Sequence, residues 1–228
     1  MSLYAIGDLH LSFSAKKPMD VFSGWDHYVE RIQAGFSVLE PEDVCVLCGD
    51  ISWAEGLEDA AEDFRFIDAL PGRKIILKGN HDYWWSTSAK TTAFFEKNGI
   101  NTISILQNNA YPYGEHAAIC GTRGWFYEPE KGGAHDKKLI DRECLRLEIS
   151  LKAAGEREKY VFLHYPPKYG DYACPEILTL LKAYGAKVCC SGHLHAESLR
   201  LAYNGMLDGT EHKCVSADAV SFKPCKIL

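Results

Sequence analysis

Short apolar runs that end abruptly in polar residues recur along the chain. Leu3 to Ile6, Val44 to Cys48, Ile75 to Leu77, Tyr160 to Leu163 and Lys187 to Cys190 are of strand length and almost wholly apolar. Such runs fit strands covered on both faces, as in a parallel sheet. Between the first three, the apolar period becomes helical. Trp25, Tyr28, Val29, Ile32 and Phe36 follow a Ser23 cap, and Leu57, Ala60, Ala61, Phe64 and Ile67 recur until Pro71-Gly72. Strand, helix, strand, helix, strand predicts right-handed parallel crossovers with helices on the sheet faces. Ser86 caps a third helix running to about Lys97, and Ile103 to Leu106 returns as a strand.

Beyond this point the texture changes. Ala110 to Cys120 predicts a hairpin around Gly114-Glu115, and therefore a second, partly antiparallel sheet. Leu139 to Leu151 reads as an amphipathic helix between Gly132-Gly133 and Gly155, and Ile177 to Tyr184 as a shorter one. Pro166-Pro167 ends the ladder after Leu163. Ser198 to Ala202 and Cys214 to Ala217 are two further strand candidates, with Tyr203-Asn204-Gly205 as a turn signal. No repeat or linker divides the chain, so residues 1–228 are expected to form one α/β domain.

Composition narrows the function classes. The 228 residues carry a formal net charge of -6 and 46% hydrophobic content. A sizeable core is possible, and the acidic balance argues against nucleic acid and acidic membranes as partners. Nothing approaches the roughly 20 apolar residues that span a bilayer, and no export signal opens the chain. The nine cysteines are odd in number, and Cys45, Cys48, Cys189 and Cys190 sit inside apolar runs. Buried thiols and a reducing, cytoplasmic setting are expected.

The polar residues at the strand ends carry the chemistry. Asp8 and His10, Asp50, Asn80-His81-Asp82, His164, and His193 with His195 all follow apolar runs. In an open α/β sheet such loops converge on one rim, where ligands bind. Residues i and i+2 of an extended segment share a face, so Asp8 with His10 and His193 with His195 point in pairs into one cavity. A nitrogen and oxygen donor set without thiolate suits manganese, iron or zinc in a catalytic site. The donors exceed the needs of one ion, and two ions about 3.5–4 Å apart clamp an in-line displacement at phosphorus. Asp50 is the candidate bridge.

Asp8-x-His10, Gly49-Asp50, Gly79-Asn80-His81-Asp82, His164 and Gly192-His193-x-His195 together resemble the signature of the calcineurin-like metallophosphoesterases, in the family's order. The resemblance implies a four-layer α/β/β/α sandwich of two mixed sheets. It implies one divalent metal on Asp8, His10 and His195, another on Asn80, His164 and His193, and Asp50 shared. It also implies that His81 binds no metal and protonates the leaving oxygen, the expected nucleophile being a hydroxide shared by the ions. Histidine titrates in the range a general acid needs. Asp82 either orients that imidazole or braces the loop. In the protein Ser/Thr phosphatase branch an Asp-Arg-Gly follows the Gly-Asp, whereas here Asp50 is followed by Ile51-Ser52-Trp53-Ala54-Glu55-Gly56.

The expected substrate is a small-molecule phosphate monoester or diester. A catalytically silent binding module of the same fold and a nuclease are the alternatives; the retained site argues against the first and the acidic composition against the second. Trp53, Tyr83, Trp84 and Trp85 either line the pocket or anchor its loops by packing. Gly79 is expected to let the backbone turn off its strand. Arg123, Lys168 and Tyr169 are either phosphate contacts or solvated side chains.

Overall fold

In the computed structural model, which describes residues 1–126 and 133–228, the alternation along the strands of two sheets sorts side chains into three cores. The first sheet contains β1 (Leu3–Ile6), β2 (Val44–Leu47), β3 (Arg73–Ile76) and β4 (Ile103–Ile105), all parallel. A C-terminal strand, β13 (Cys225–Lys226), joins β1 antiparallel and gives the order β13-β1-β2-β3-β4. Ile6, Cys45, Leu47 and Ile76 point to one face, where they meet α1 (Tyr28–Phe36), α2 (Ala61–Ala69) and α3 (Ser88–Asn98). Leu3, Ala5, Val44, Val46 and Ile75 point to the other.

The second sheet packs against that other face. It contains β5 (Tyr111–Tyr113), β6 (Ala117–Thr122), β7 (Glu158–Leu163), β10 (Val188–Ser191), β11 (Gly205–Leu207) and β12 (Thr210–Cys214). Their order is β11-β12-β10-β7-β6-β5, parallel in the centre and antiparallel at both edges. Ile119, Tyr160, Phe162, Val188 and Cys190 share a core with the first sheet. Ala118, Cys120, Val161, Leu163 and Cys189 face α4 (Gly133–Ala153) and α5 (Pro175–Ala183). The layers are thus helices, sheet, sheet, helices, the expected sandwich. No helix among the described residues is long and apolar enough to cross a membrane.

Several local expectations are corrected. Ser23 does not cap α1: the helix starts after His27, in a left-handed conformation at φ 53°, and Trp25 is buried ahead of it. Thr87, one residue past Ser86, caps α3 and accepts from the Lys90 N–H. The long helix begins at Gly133, well before Leu139; Gly132 of its expected boundary lies outside the described residues.

Ser198 to Ala202 is not a strand. The Ser198 hydroxyl accepts from the His195 N–H at 2.9 Å and donates to the His195 carbonyl at 2.7 Å, winding residues Ala196–Leu201 into a 3-10 helix. The last hairpin turns at Asp208-Gly209, both at positive φ, rather than at Tyr203-Asn204-Gly205. Beyond Cys214 the chain crosses between the sheets: the Val215 N–H still donates to the Ser191 carbonyl at 2.8 Å, and Ser216 bridges Gly7 beyond β1. The short hairpin of β8 (Lys168–Tyr169) and β9 (Tyr172–Ala173) was not expected.

Where α1 meets the C-terminal segment, a glycine decides the spacing. A Cβ on Gly35 overlaps the Phe222 carbonyl oxygen and comes within 2.9 Å of Lys223 Cα. In an unobstructed helix Gly→Ala gains about 1 kcal/mol. Here the backbone contact reverses the sign, and Gly35→Ala is expected to lose about 1–3 kcal/mol. Urea denaturation measures it; stability at or above wild type would show that α1 does not rest on residues 222–223.

Candidate metal centre

The loops after β1, β2, β3, β7 and β10 meet at one rim and carry all nine predicted site residues. The geometry differs from that of extended segments, because Asp8, His10, Asp50 and His193 sit at φ 57°, 47°, 51° and 70°. Left-handed non-glycine residues are uncommon and strained, and persist where surrounding structure holds them. Here the Asp8 N–H donates to the Gly49 carbonyl and the His10 N–H to the Asp50 carbonyl, each at 2.9 Å.

The imidazoles and carboxylates fall into two clusters. Ligand atoms of Asp8, His10 and His195 lie within 4.8 Å of one another, and those of Asp50, His164 and His193 do likewise. His193 and His195 therefore divide between the clusters. Asn80 Oδ1 lies 2.6 Å from His164 Nε2 and 2.9 Å from His193 Nδ1, which adds it to the second. Asp50 Oδ2 lies 3.8 Å from His10 Nε2 and 3.5 Å from His164 Nε2, so one carboxylate oxygen faces both clusters.

These donors suit cations. Both ring nitrogens of His10 are buried without a hydrogen-bond partner. His164 Nδ1 donates to the Cys48 carbonyl at 3.0 Å, so its Nε2 presents a lone pair to the Asn80 oxygen, acceptor against acceptor. A positive ion between them satisfies both. Burial lowers His164 to about 3 and His193 to about 2, and lowers His10 and His195, so these rings are neutral. Burial, and then Asp50, push Asp8 upward; burial also raises Asp50. Two buried carboxylates facing neutral imidazoles are stable as anions only with added positive charge.

Asp82 is entirely buried. Its Oδ2 accepts from the Asp50 N–H at 2.9 Å and the Gly79 N–H at 2.7 Å. Its Oδ1 accepts from the Ile51 N–H at 2.8 Å, the Ser52 N–H at 3.3 Å and the Trp84 indole at 3.0 Å. Those contacts brace the loops, while His81 Nδ1 has no hydrogen-bond partner. The His81 N–H donates to Asp50 Oδ1 at 2.7 Å. Its ring lies 4.4 Å from that of Trp53, which also stacks on His10 at 4.9 Å.

Trp84, 2% exposed and packed on Phe64, is an anchor, whereas Tyr83 is exposed. The Lys168 amine donates to the Gly170 carbonyl. Gly79 is not at positive φ, so its requirement is space: a Cβ there overlaps the Asp50 backbone nitrogen and Oδ1. Sequence alone did not single out Ser216, which hydrogen-bonds Asp8, or Asp218, which accepts from the Ala196 N–H at 2.6 Å. Nor did it point to Tyr165 and Phe126, whose rings lie 4.5 and 5.3 Å from His193. No local pattern marks these residues, which only the fold brings to the rim.

A sequence model of the calcineurin-like phosphoesterase family matches residues 1–197, and the chain belongs to that family. Among solved structures, a protein of unknown function from Aquifex aeolicus is 18% identical with TM-score 0.52, covering 99% of this chain and 95% of that one. Phosphopantetheinyl hydrolase from Mycobacterium tuberculosis is 14% identical with TM-score 0.62, covering 100% and 95%. A protein from Thermus thermophilus is 12% identical with TM-score 0.58, covering 99% and 97%. At these identities the likeness is one of fold. No curated protein sequence matches the chain.

The contacts of Asp82 make it separable from a proton-transfer role. Asp82→Ala leaves buried N–H groups of both loops unpaired and is expected to cost about 2–5 kcal/mol. Its metal affinity should fall about 10–100-fold. Thermal denaturation with metal titration checks both; unchanged stability and affinity with reduced turnover would instead mark Asp82 as a partner of the His81 ring.

Proposed function

We propose that this chain hydrolyses phosphate monoesters or diesters of small molecules, with two divalent metal ions and a histidine general acid. Family membership and the two ligand clusters support metal-dependent phosphoesterase activity in general. The observation that carries the finer reading is Asp50 Oδ2 standing between the two clusters while the His81 ring belongs to neither.

In this reading Asp8, His10 and His195 would hold one ion and Asn80, His164 and His193 the other, with Asp50 placed to serve either. Nitrogen and oxygen donors suit manganese, iron or zinc. Bound there, the ions supply Lewis-acid activation of water and of the phosphoryl oxygens. The protein's own residues do the rest. The Cys48 carbonyl fixes the His164 tautomer, and Asp82 holds the β2 and β3 loops in register so that Asp50 reaches both clusters. His81, positioned by its N–H to Asp50 and by the Trp53 face, passes a ring proton to the departing ester oxygen, which otherwise leaves as a poor alkoxide. Trp53, Tyr165 and Phe126 stand against His10 and His193 as aromatic walls of the centre.

The core shared by both sheets supports one catalytic unit across residues 1–228. Nine free cysteines support a reducing, cytoplasmic setting.

Metal analysis coupled to a panel of chromogenic mono- and diesters is the test. Wild type is expected to hold two transition-metal ions per chain and turn over. His81→Ala should keep both ions and lose about 10²–10⁴-fold in kcat, whereas Asp50→Asn should lose metal as well. A protein without transition metal that gains no activity on reconstitution with manganese would end this reading.

A further inference from the structure

The rim that carries the metal clusters also carries a small basic cavity that the hydrolytic scheme does not use. Lys78 follows β3, Gln107 and Asn108 follow β4, Thr122 and Arg123 close β6, and Arg146 reaches in from α4. The cavity measures about 90 Å³, and none of its lining residues belongs to either cluster. One water occupies ~10–15 Å³ by this kind of measure. The space therefore accommodates a compact tetrahedral oxyanion together with ordered water.

In a chain of net charge -6, three cations line this cavity, and Arg142 stands close by on Glu143. Arg146 Nη1 donates to Glu143 Oε1 at 2.8 Å, while Arg123 Nη2 and Arg142 Nε stand 3.9 and 3.8 Å from the same oxygen. Glu143 Oε2 accepts the Thr122 hydroxyl at 2.7 Å. Among the described residues Asp82 is the other carboxylate acting on Lys78, and its oxygens are occupied by the loop N–H groups. Glu143 is wholly buried and offsets one of these charges, which leaves the cations around the cavity in excess. The Arg123 guanidinium packs 5.0 Å from the Trp125 ring centroid, and its Nε is buried with no hydrogen-bond partner.

A buried guanidinium N–H without an acceptor is rare, and a fixed planar fork matches the oxygens of phosphate. Gln107 Oε1 is buried and unpartnered as well; half a turn of its amide offers NH2 donors in its place. We propose that this cavity binds a phosphate-like oxyanion, brought either as a second, non-reacting phosphate of the substrate or as free inorganic phosphate. The substrate-borne source rests on the phosphoesterase reading above; the oxyanion site does not. The strand ends that hold it are continuous with the ligand loops: Lys78 stands two residues before Asn80, and the Arg123 carbonyl accepts from the His164 N–H at 3.0 Å. The substrate-borne source therefore calls for a substrate whose two phosphates span from this cavity to the clusters.

Calorimetric titration of inorganic phosphate into the manganese-loaded protein tests the site. Wild type is expected to show two binding events, and Arg146→Gln and Arg123→Lys should each weaken one of them about tenfold while leaving the other. Arg146 is partly exposed on α4, so its replacement spares the fold, which circular dichroism verifies. Two variants that titrate like wild type, or one wild-type event that Asp50→Asn alone removes, would overturn the proposal.

Hydrolysis of a nucleoside 5'-monophosphate and the matching 3',5'-bisphosphate separates the sources. A substrate-borne phosphate predicts about tenfold higher kcat/KM for the bisphosphate, lost in both variants. Free phosphate predicts no such preference, with the calorimetric loss retained. Failure to hydrolyse either ester would count against the phosphoesterase reading alone, since the titration still decides the oxyanion site.

Discussion

The rim depends on one buried carboxylate that faces inward to the backbone. Asp82 gathers N–H groups from the loop after β2 and from Gly79 after β3, and adds the Trp84 indole. Parallel strands bring their ends side by side but do not fix the loops beyond them. A carboxylate receiving several N–H bonds in a low-dielectric place fixes them strongly. The candidate ligands follow from this joint: Asp50 begins in one of the loops it ties and Asn80 in the other, with His81 beside it.

A second constraint is the cost of gathering acidic groups and neutral imidazoles out of water. The fold meets part of it with backbone donors, as when the His193 N–H reaches both Asp8 oxygens and the His81 N–H reaches Asp50. It also places several candidate ligand residues in left-handed backbone, a strain that the neighbouring ladder bonds hold. Close approach does the rest. Only glycine fits at Gly79 against Asp50, and a Cβ on Gly192 comes within 2.6 Å of Asp8 Oδ2. The conformational role expected of Gly79 gives way to a steric one.

Much of this architecture was legible because buried parallel strands leave a simple mark, an apolar run cut off by polar residues. Val44–Leu47 and Val188–Ser191 are visible in that way, and their ends bring Asp50 and His193 to the rim. Features set by tertiary contact were not. Ser198 to Ala202 alternates like a strand, yet hydrogen bonds between Ser198 and His195 wind it into a helix. β13 is too short to show a period, and it forms only because β1 offers a free edge. Two-residue spacing says only that His193 and His195 reach one cavity; their division between two clusters was implied by the family resemblance and not by the spacing. The basic cavity escaped notice because Lys78, Arg123 and Arg146 come from separate segments, and only Arg123 was singled out.

On this account the Asp50 carboxylate is the common element of the two clusters, with Asp82 holding it there. Anomalous diffraction from crystals of the manganese-loaded protein measures this directly. Two ion peaks should appear, one among Asp8, His10 and His195, the other among Asn80, His164 and His193, with Asp50 bonded to both. A single peak, or two peaks of which Asp50 touches one alone, would contradict it.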